Sequence, residues 1–171
     1  LSLLDCGVAV LANQAMNHLL GGMVPHRLGN AHPNIVPYQL FPTADGHAII
    51  ACGNDRQFAG LCRALRLEGL AENPDYATNP ARVANRAALV PLIAGATART
   101  SRAAIIAALE DAGVPAGPIN SVADALTEPQ IEARGLRIAP EGISGLRTPI
   151  AFSRSRLVLD RAAPLLPDRE P

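Results

Sequence analysis

The sequence predicts an α+β fold: a small domain of short antiparallel strands and several helices, with linker segments attached. Three observations carry that expectation. Two strand-like runs, residues 38–43 and 47–52, flank an Asp45-Gly46 turn signal. Helix starts are marked by polar caps and early prolines, as at Asn54 and Asn79-Pro80. Between such segments lie Gly- and Pro-punctuated stretches, notably residues 21–37 and 162–171.

Residues 1–20 read as a first helix, apolar around most of its circumference and stopped by Gly21-Gly22. Asn13, Gln14, Asn17 and His18 give it one narrow polar stripe, so the rest of its surface needs packing partners. The opening residues read as the middle of a helix, which implies a start further upstream. Residues 21–37 form a loop, and the hairpin follows. Asn54 then caps a helix, with Gln57 placed to complete a capping box and Phe58, Leu61, Cys62 and Leu65 on one face.

After a loop at Asn73-Pro74, a helix capped by Asn79 runs to about residue 98, kinked or split at Pro91. Residues 100–112 form a helix ended by Gly113. The Val114-Pro-Ala-Gly-Pro-Ile119 segment is extended, and its prolines confine it to a sheet edge. Residues 121–126 and 129–134 read as short helices, and 136–139 with 146–150 as a second hairpin. The tail from Ala162 is proline-rich and extended.

At 171 residues the chain is one ordinary domain by length, or a piece of a larger one. Apolar residues make up 49%, but aromatics only 3% and Trp none, so the core must be aliphatic. Net charge is zero, with five arginines against six acids up to Asn85 and ten against nine after it. That balance argues against a nucleic-acid surface, which is basic on one face. Cys6, Cys52 and Cys62 cannot all pair and show no C-x-x-C spacing, which points to a reducing cytoplasm. No apolar run is long enough to suggest a membrane span.

Candidate chemistry concentrates between Arg27 and Phe58. The polar, kinked run holding Gly29, Asn30, His32, Pro33 and Asn34 reads either as a substrate-contacting loop or as a turn whose Asn side chains bond the backbone. His18, His26, His32 and His47 have no spacing that places two on one helix face, so no metal site is expected. Cys62 reads as core. Cys52, just before a helix start, is either a small buried residue or a thiol with a dipole-lowered pKa. Asp45 belongs to a turn, Asp55 favours a helix dipole, and Glu110-Asp111 lies on a solvated surface; none has a visible partner for acid–base work. Arg147, Arg154, Arg156 and Arg161 fit either a phosphate grip or a solvated strand and tail. No complete catalytic set emerges.

Several segments, in register over nearly the whole chain, resemble the class III CoA-transferases. Ser2-Leu-Leu-Asp5 is similar to that family's V-S-L-L-D helix. Arg27-Leu-Gly-Asn30 and His32-Pro-Asn-Ile-Val-Pro-Tyr38 resemble its hinge-side loop. Ala44-Asp45-Gly46, Gly53-Asn54-Asp55 and Gln57-Phe58 match the hairpin and helix that follow. Asn79 to Arg86 resembles T-N-x-x-R-V-x-N-R, Gly113 to Asn120 resembles G-V-P-x-G-P-x-N, and Asp124 to Gly135 resembles D-P-Q-x-x-x-R-G. Pro164-Leu-Leu166 is similar to the P-L-L-G-E-H ending, although Pro167-Asp-Arg-Glu departs from it.

The resemblance implies the second half of a longer, two-domain enzyme. Residues 1–24 would be a helix of an absent large Rossmann-like domain, 25–43 a linker and active-site-side loop, 44–140 the small α+β domain, and 141–171 a truncated return linker. It implies covalent catalysis with coenzyme A as substrate: a carboxylate attacks an acyl-CoA thioester, and CoA passes through an enzyme thioester to a carboxylic acid acceptor. The nucleophilic aspartate, in an A-D-x-x-x-G context, would precede residue 1, so no catalytic residue is assigned here. Arg27, Gly29, Asn30, His32, Asn34 and Tyr38 are assigned to substrate binding. An interlaced homodimer, a cytoplasmic location, and no metal, nucleic-acid or membrane partner complete the expectation. A non-enzymatic dimerisation or ligand-binding module and a 2-methylacyl-CoA racemase are the alternatives.

Overall fold

The computed structural model of the chain describes residues 1–164. Leu1–Ile119 forms one compact unit, and a second begins at Asn120. The α+β class holds: helices and short antiparallel strands share the described residues.

The expected first helix is two, α1 (Leu3–Ala9) and α2 (Ala12–Gly21). Ser2 caps α1 by accepting from the Asp5 amide. The break falls where Ala12 turns to φ 44°, with Leu11 N–H bonding back to Val8 in a tight turn. Neither Gly nor Pro stands there, so local propensity does not mark it. Gly22, at φ 68°, closes α2 as its position implied. Leu3, Leu4, Val8, Leu11, Leu19 and Leu20 are all exposed.

Strands β1 (Tyr38–Thr43), β2 (Gly46–Ala51) and β3 (Ala116–Pro118) form an antiparallel sheet in that order. Pro42 and Pro118 sit on the two edge strands, while the central strand has no proline, as the missing N–H requires. The turn joins Thr43 to Gly46, and the Asp45 carboxylate ties its tip to the next layer. It accepts from the Arg102 amide at 2.6 Å and from the Thr43 hydroxyl at 3.1 Å.

The Arg102 amide bond holds the Asp45 pKa below the ordinary carboxylate value; desolvation opposes it, and the Thr43 hydroxyl adds a smaller downward push. A depressed folded pKa gives stability that is present above the unfolded value and lost as pH falls through the folded one. The stability gap between wild type and Asp45→Ala should therefore be constant near neutrality and narrow only in acid. Denaturation midpoints taken between about pH 7 and about pH 2 test this; a gap unchanged over that range would refute it.

Helix α3 (Asp55–Ala64) starts at Asn54, whose side chain accepts from the Gln57 amide at 2.9 Å. Gln57 returns a bond to Gly53 N–H at 2.7 Å, one residue before the cap rather than to the cap itself. Phe58, Leu61 and Cys62 are buried, the face expected from their spacing. A short helix α4 (Glu68–Glu72) follows.

The helix expected from Asn79 to about residue 98 divides at Asn85, not at Pro91, into α5 (Asn79–Ala84) and α6 (Arg86–Thr97). Asn85 leaves helical geometry and donates its side-chain amide to Asp75 O and Ala81 O. Pro91 stays inside α6 on the exposed side, where water can solvate the carbonyl that its missing N–H leaves unpaired. Thr78, not Asn79, is the cap of α5, accepting from the Ala81 amide. That shift frees the Asn79 side chain.

Ser101 caps α7 (Arg102–Asp111), and Gly113 follows it at φ 68°. Val36, Phe41, Ile50, Phe58, Leu61, Leu89, Ile93, Ile105, Leu109 and Val114 make one buried cluster between the sheet and helices α3, α6 and α7.

The second unit contains α8 (Val122–Leu126), with a Ser121/Asp124 capping box, and α9 (Pro129–Ala133). The expected hairpin there shrinks to β4 (Arg137–Ile138) against β5 (Gly145–Leu146). Among the described residues this unit buries no side chain fully, so little packing extends the ladder, and Pro149 cannot donate to it. Part of the tail expected to be extended, residues 165–171, lies outside the described residues.

Candidate functional site

Residues 29–38 enter the sheet through a turn built on Gly29, whose φ of +63° is a conformation that side chains resist. Asn30 Oδ1 accepts from Leu40 N–H at 2.9 Å, fastening the turn to β1. The His32 amide donates to Tyr38 O at 2.9 Å, closing the loop on itself. The His32 imidazole stacks on the Tyr38 ring, with centroids 5.3 Å apart and planes 13° from parallel. Asn34 N–H donates to His32 Nδ1 at 3.1 Å. Asn34 and Asn17 of α2 exchange side-chain amide bonds at 2.9 and 3.2 Å. Val36-Pro37 is cis.

The loop rests on a cradle. Asn79 donates to Asn34 O at 2.8 Å and accepts from Val36 N–H at 3.1 Å. Arg82 donates through Nε to Val36 O at 2.7 Å. Arg86 Nη2 donates to both His32 O and Pro33 O, at 2.7 and 2.9 Å. Spacings of three and four residues put these side chains on one side of the helical segment. Arg86 Nη1 is buried with no acceptor among the described residues, and desolvation lowers the Arg86 pKa.

Three of the six residues assigned to substrate binding, His32, Asn34 and Tyr38, thus meet in one hydrogen-bonded and stacked cluster, and Asn30 fastens beside it to Leu40. Gly29 supplies its turn. Arg27 is exposed and makes no hydrogen bond or ion pair among the described residues, so nothing there brings it to the others. Sequence reasoning did not single out Asn79, Arg82 and Arg86 as the loop's support. Their signal was the N-x-x-R-x-x-x-R spacing, visible but mute without a partner.

Elsewhere the structure decides two single-residue readings. Asp55 pairs with Arg82, whose Nη2 lies 2.7 Å from its carboxylate, and a guanidinium that keeps its proton gives it no partner for acid–base work. Cys52 has no activated thiol; burial pushes its pKa up to about 12, only partly opposed by Arg82. Cys62, also buried, rises to about 11 for the same reason, and both read as core. Cys6 is exposed. Arg147 and Arg156 line an open cavity of about 720 Å³ with Phe152 and Asp160 in the second unit; Arg154 and Arg161 do not line it. Among the described residues no group of three His, Cys, Asp or Glu is placed to hold a metal ion, and no single helix is long and apolar enough to cross a membrane.

The family model for CoA-transferase family III matches residues 1–169. The chain belongs to CoA-transferase family III. A succinate–glutarate CoA-transferase from Agrobacterium fabrum is 46% identical over 175 residues, spanning 99% of this chain and 44% of that protein. A human succinyl-CoA:glutarate CoA-transferase is 35% identical, over 96% of this chain and 39% of its own length. A CAIB/BAIF family protein from Brucella suis superposes with a TM-score of 0.84 at 54% identity, over 96% of this chain and 44% of that one. This family III chain therefore spans less than half the length of these relatives.

Proposed function

We propose that this chain is part of an acyl-CoA transferase polypeptide that moves CoA from an acyl-CoA donor to a carboxylic acid acceptor, with dicarboxylates as the substrate class. The observation that carries this reading is the near full-length match of the chain to a succinate–glutarate CoA-transferase at 46% identity. The dicarboxylate class comes from that relative and from the human succinyl-CoA:glutarate enzyme.

In this reading the attacking carboxylate lies outside residues 1–171, because in the family that this chain resembles the A-D-x-x-x-G segment precedes the helix matched by Ser2-Leu-Leu-Asp5. It would form an anhydride and then a CoA thioester before the acceptor takes CoA. The loop 29–38 walls the acyl site and shields those intermediates from water, with Gly29, Asn30, His32, Asn34 and Tyr38 at the wall and Arg27 beside it. Residues 44–140 form the small domain, and residues 1–24, 25–43 and 141–171 are pieces of or links to a larger Rossmann-like domain. The uncovered leucines of α1 and α2 support an assembled state in which those faces are packed, and an interlaced homodimer supplies one. Three unpaired thiols support a cytoplasmic location.

The test compares residues 1–171 with the whole polypeptide that carries them, using succinyl-CoA as donor and labelled glutarate as acceptor. The whole polypeptide should form glutaryl-CoA and residues 1–171 none. Transfer by residues 1–171 would overturn the assignment of the nucleophile outside them, and no transfer by either would overturn the function.

A further inference from the structure

One ring in the loop is held in a single orientation and left open on one side. Asn34 N–H donates to His32 Nδ1, so that nitrogen carries the lone pair and the imidazole proton sits on Nε2. The ring cannot turn freely: it stacks on Tyr38, its own amide is bonded to Tyr38 O, and its carbonyl is gripped by Arg86. Nε2 itself makes no hydrogen bond among the described residues. It is not sealed either, because the buried side-chain nitrogens and oxygens without partners there are Arg86 Nη1 and Arg147 Nε. A fixed donor therefore faces solvent.

We propose that His32 is a specificity-determining residue whose Nε2–H, fixed in one tautomer and one orientation, binds a carboxylate oxygen of the acceptor acid. The proposal rests on the CoA-transfer reading above and adds to it the atom that recognises the acceptor. A donor with no accepting capacity on its open edge selects an oxygen lone pair, which excludes ammonium and other donor-only groups. Arg86, bonded to the His32 carbonyl, favours an anion over a neutral carbonyl. Neither it nor His32 has a carboxylate partner among the described residues, so its charge is not neutralised locally. Because Arg86 is tied to two loop carbonyls, it acts through its field and not by reaching the ligand.

Two substitutions separate the donor from the packing. His32→Asn keeps an acceptor near the Nδ1 position for Asn34 N–H but removes the outer donor. His32→Gln restores an amide N–H near the Nε2 position. In the whole polypeptide, KM for glutarate and KM for succinyl-CoA are measured for both variants, with glutarate binding followed separately by calorimetry. His32→Asn should weaken glutarate about tenfold, the scale of one hydrogen bond to a charged group, and leave succinyl-CoA within about twofold. His32→Gln should recover most of the loss.

Wild-type behaviour toward glutarate in both variants would overturn the proposal. So would a loss confined to succinyl-CoA, which would assign the donor to a thioester carbonyl. If the wild type binds glutarate through His32 but transfers no CoA, the recognition stands and the transferase reading falls. If the wild type binds no glutarate and transfers CoA to other acids unaffected by His32→Asn, the transferase reading stands and the proposal falls.

Discussion

Replacing Arg82 with alanine is expected to destabilise the protein by about 3–5 kcal/mol, the scale of a core cavity together with buried carbonyls left without a donor. Its side chain is 0% exposed, yet every arm of the guanidinium is engaged. Nε donates to Val36 O, Nη1 to Tyr76 O and Ala77 O, and Nη2 to the Asp55 carboxylate, while the group lies 4.5 Å from the centre of the Phe58 ring. The ion pair is the smaller part of this. Asp55 is 57% exposed, and an ion pair with one solvated partner contributes less than about 1 kcal/mol. Alanine would instead leave a cavity against Phe58 and strand the Val36 and Tyr76 carbonyls without their donor.

Urea denaturation therefore ranks Arg82→Ala as severe and Asp55→Asn as mild. Arg82→Lys should rescue little, because one ammonium cannot span acceptors arranged around a planar fork. Equal losses in Arg82→Ala and Asp55→Asn would show that the ion pair, not the carbonyl grip, carries the stability. Since Val36 belongs to the loop that holds His32, loss of Arg82 should also loosen the candidate site.

Gly60→Ala is expected to destabilise although alanine is the better helix former. In α3 a Cβ at this position would meet Ala112 O at 2.9 Å and Val114 Cγ2 at 3.2 Å. The first contact is with backbone, which cannot swing aside as a side-chain tip would. The propensity gain is about 1 kcal/mol. Overpacking costs about 1–3 kcal/mol and extends to the turn that leads into β3. The steric effect wins, for a net loss of up to about 2 kcal/mol.

Gly95→Ala in α6 is the control, because a Cβ there meets nothing within 4 Å. It should stabilise by about 0.5–1 kcal/mol. Thermal midpoints of the two variants should move in opposite directions. A rise for both would mean that the α3–α7 approach relaxes at little cost.

The elements legible in the sequence are those whose cause is local. The β1–β2 hairpin follows from its Asp45-Gly46 turn, α3 from the Asn54 cap, and the end of α7 from Gly113; each needs only nearby backbone to be satisfied. The breaks at Ala12 and Asn85 were not legible. Neither carries a helix-breaking residue, and Asn85 earns its geometry from Asp75, ten residues earlier in the chain. Pro91 misled for the complementary reason: on an exposed face its missing bond is tolerated.

The candidate site divides along the same line. The sequence by itself determined the family, the hairpin, and a polar loop holding Asn30, His32, Asn34 and Tyr38, because motif order and turn chemistry are properties of the chain read linearly. Only the tertiary structure decided what those residues do for one another. Asn79, Arg82 and Arg86 reach the loop across 43 to 54 residues of chain. A long polar side chain has many possible acceptors until packing removes all but one set. Burial made Arg82 a clamp and left one nitrogen of His32 facing outward.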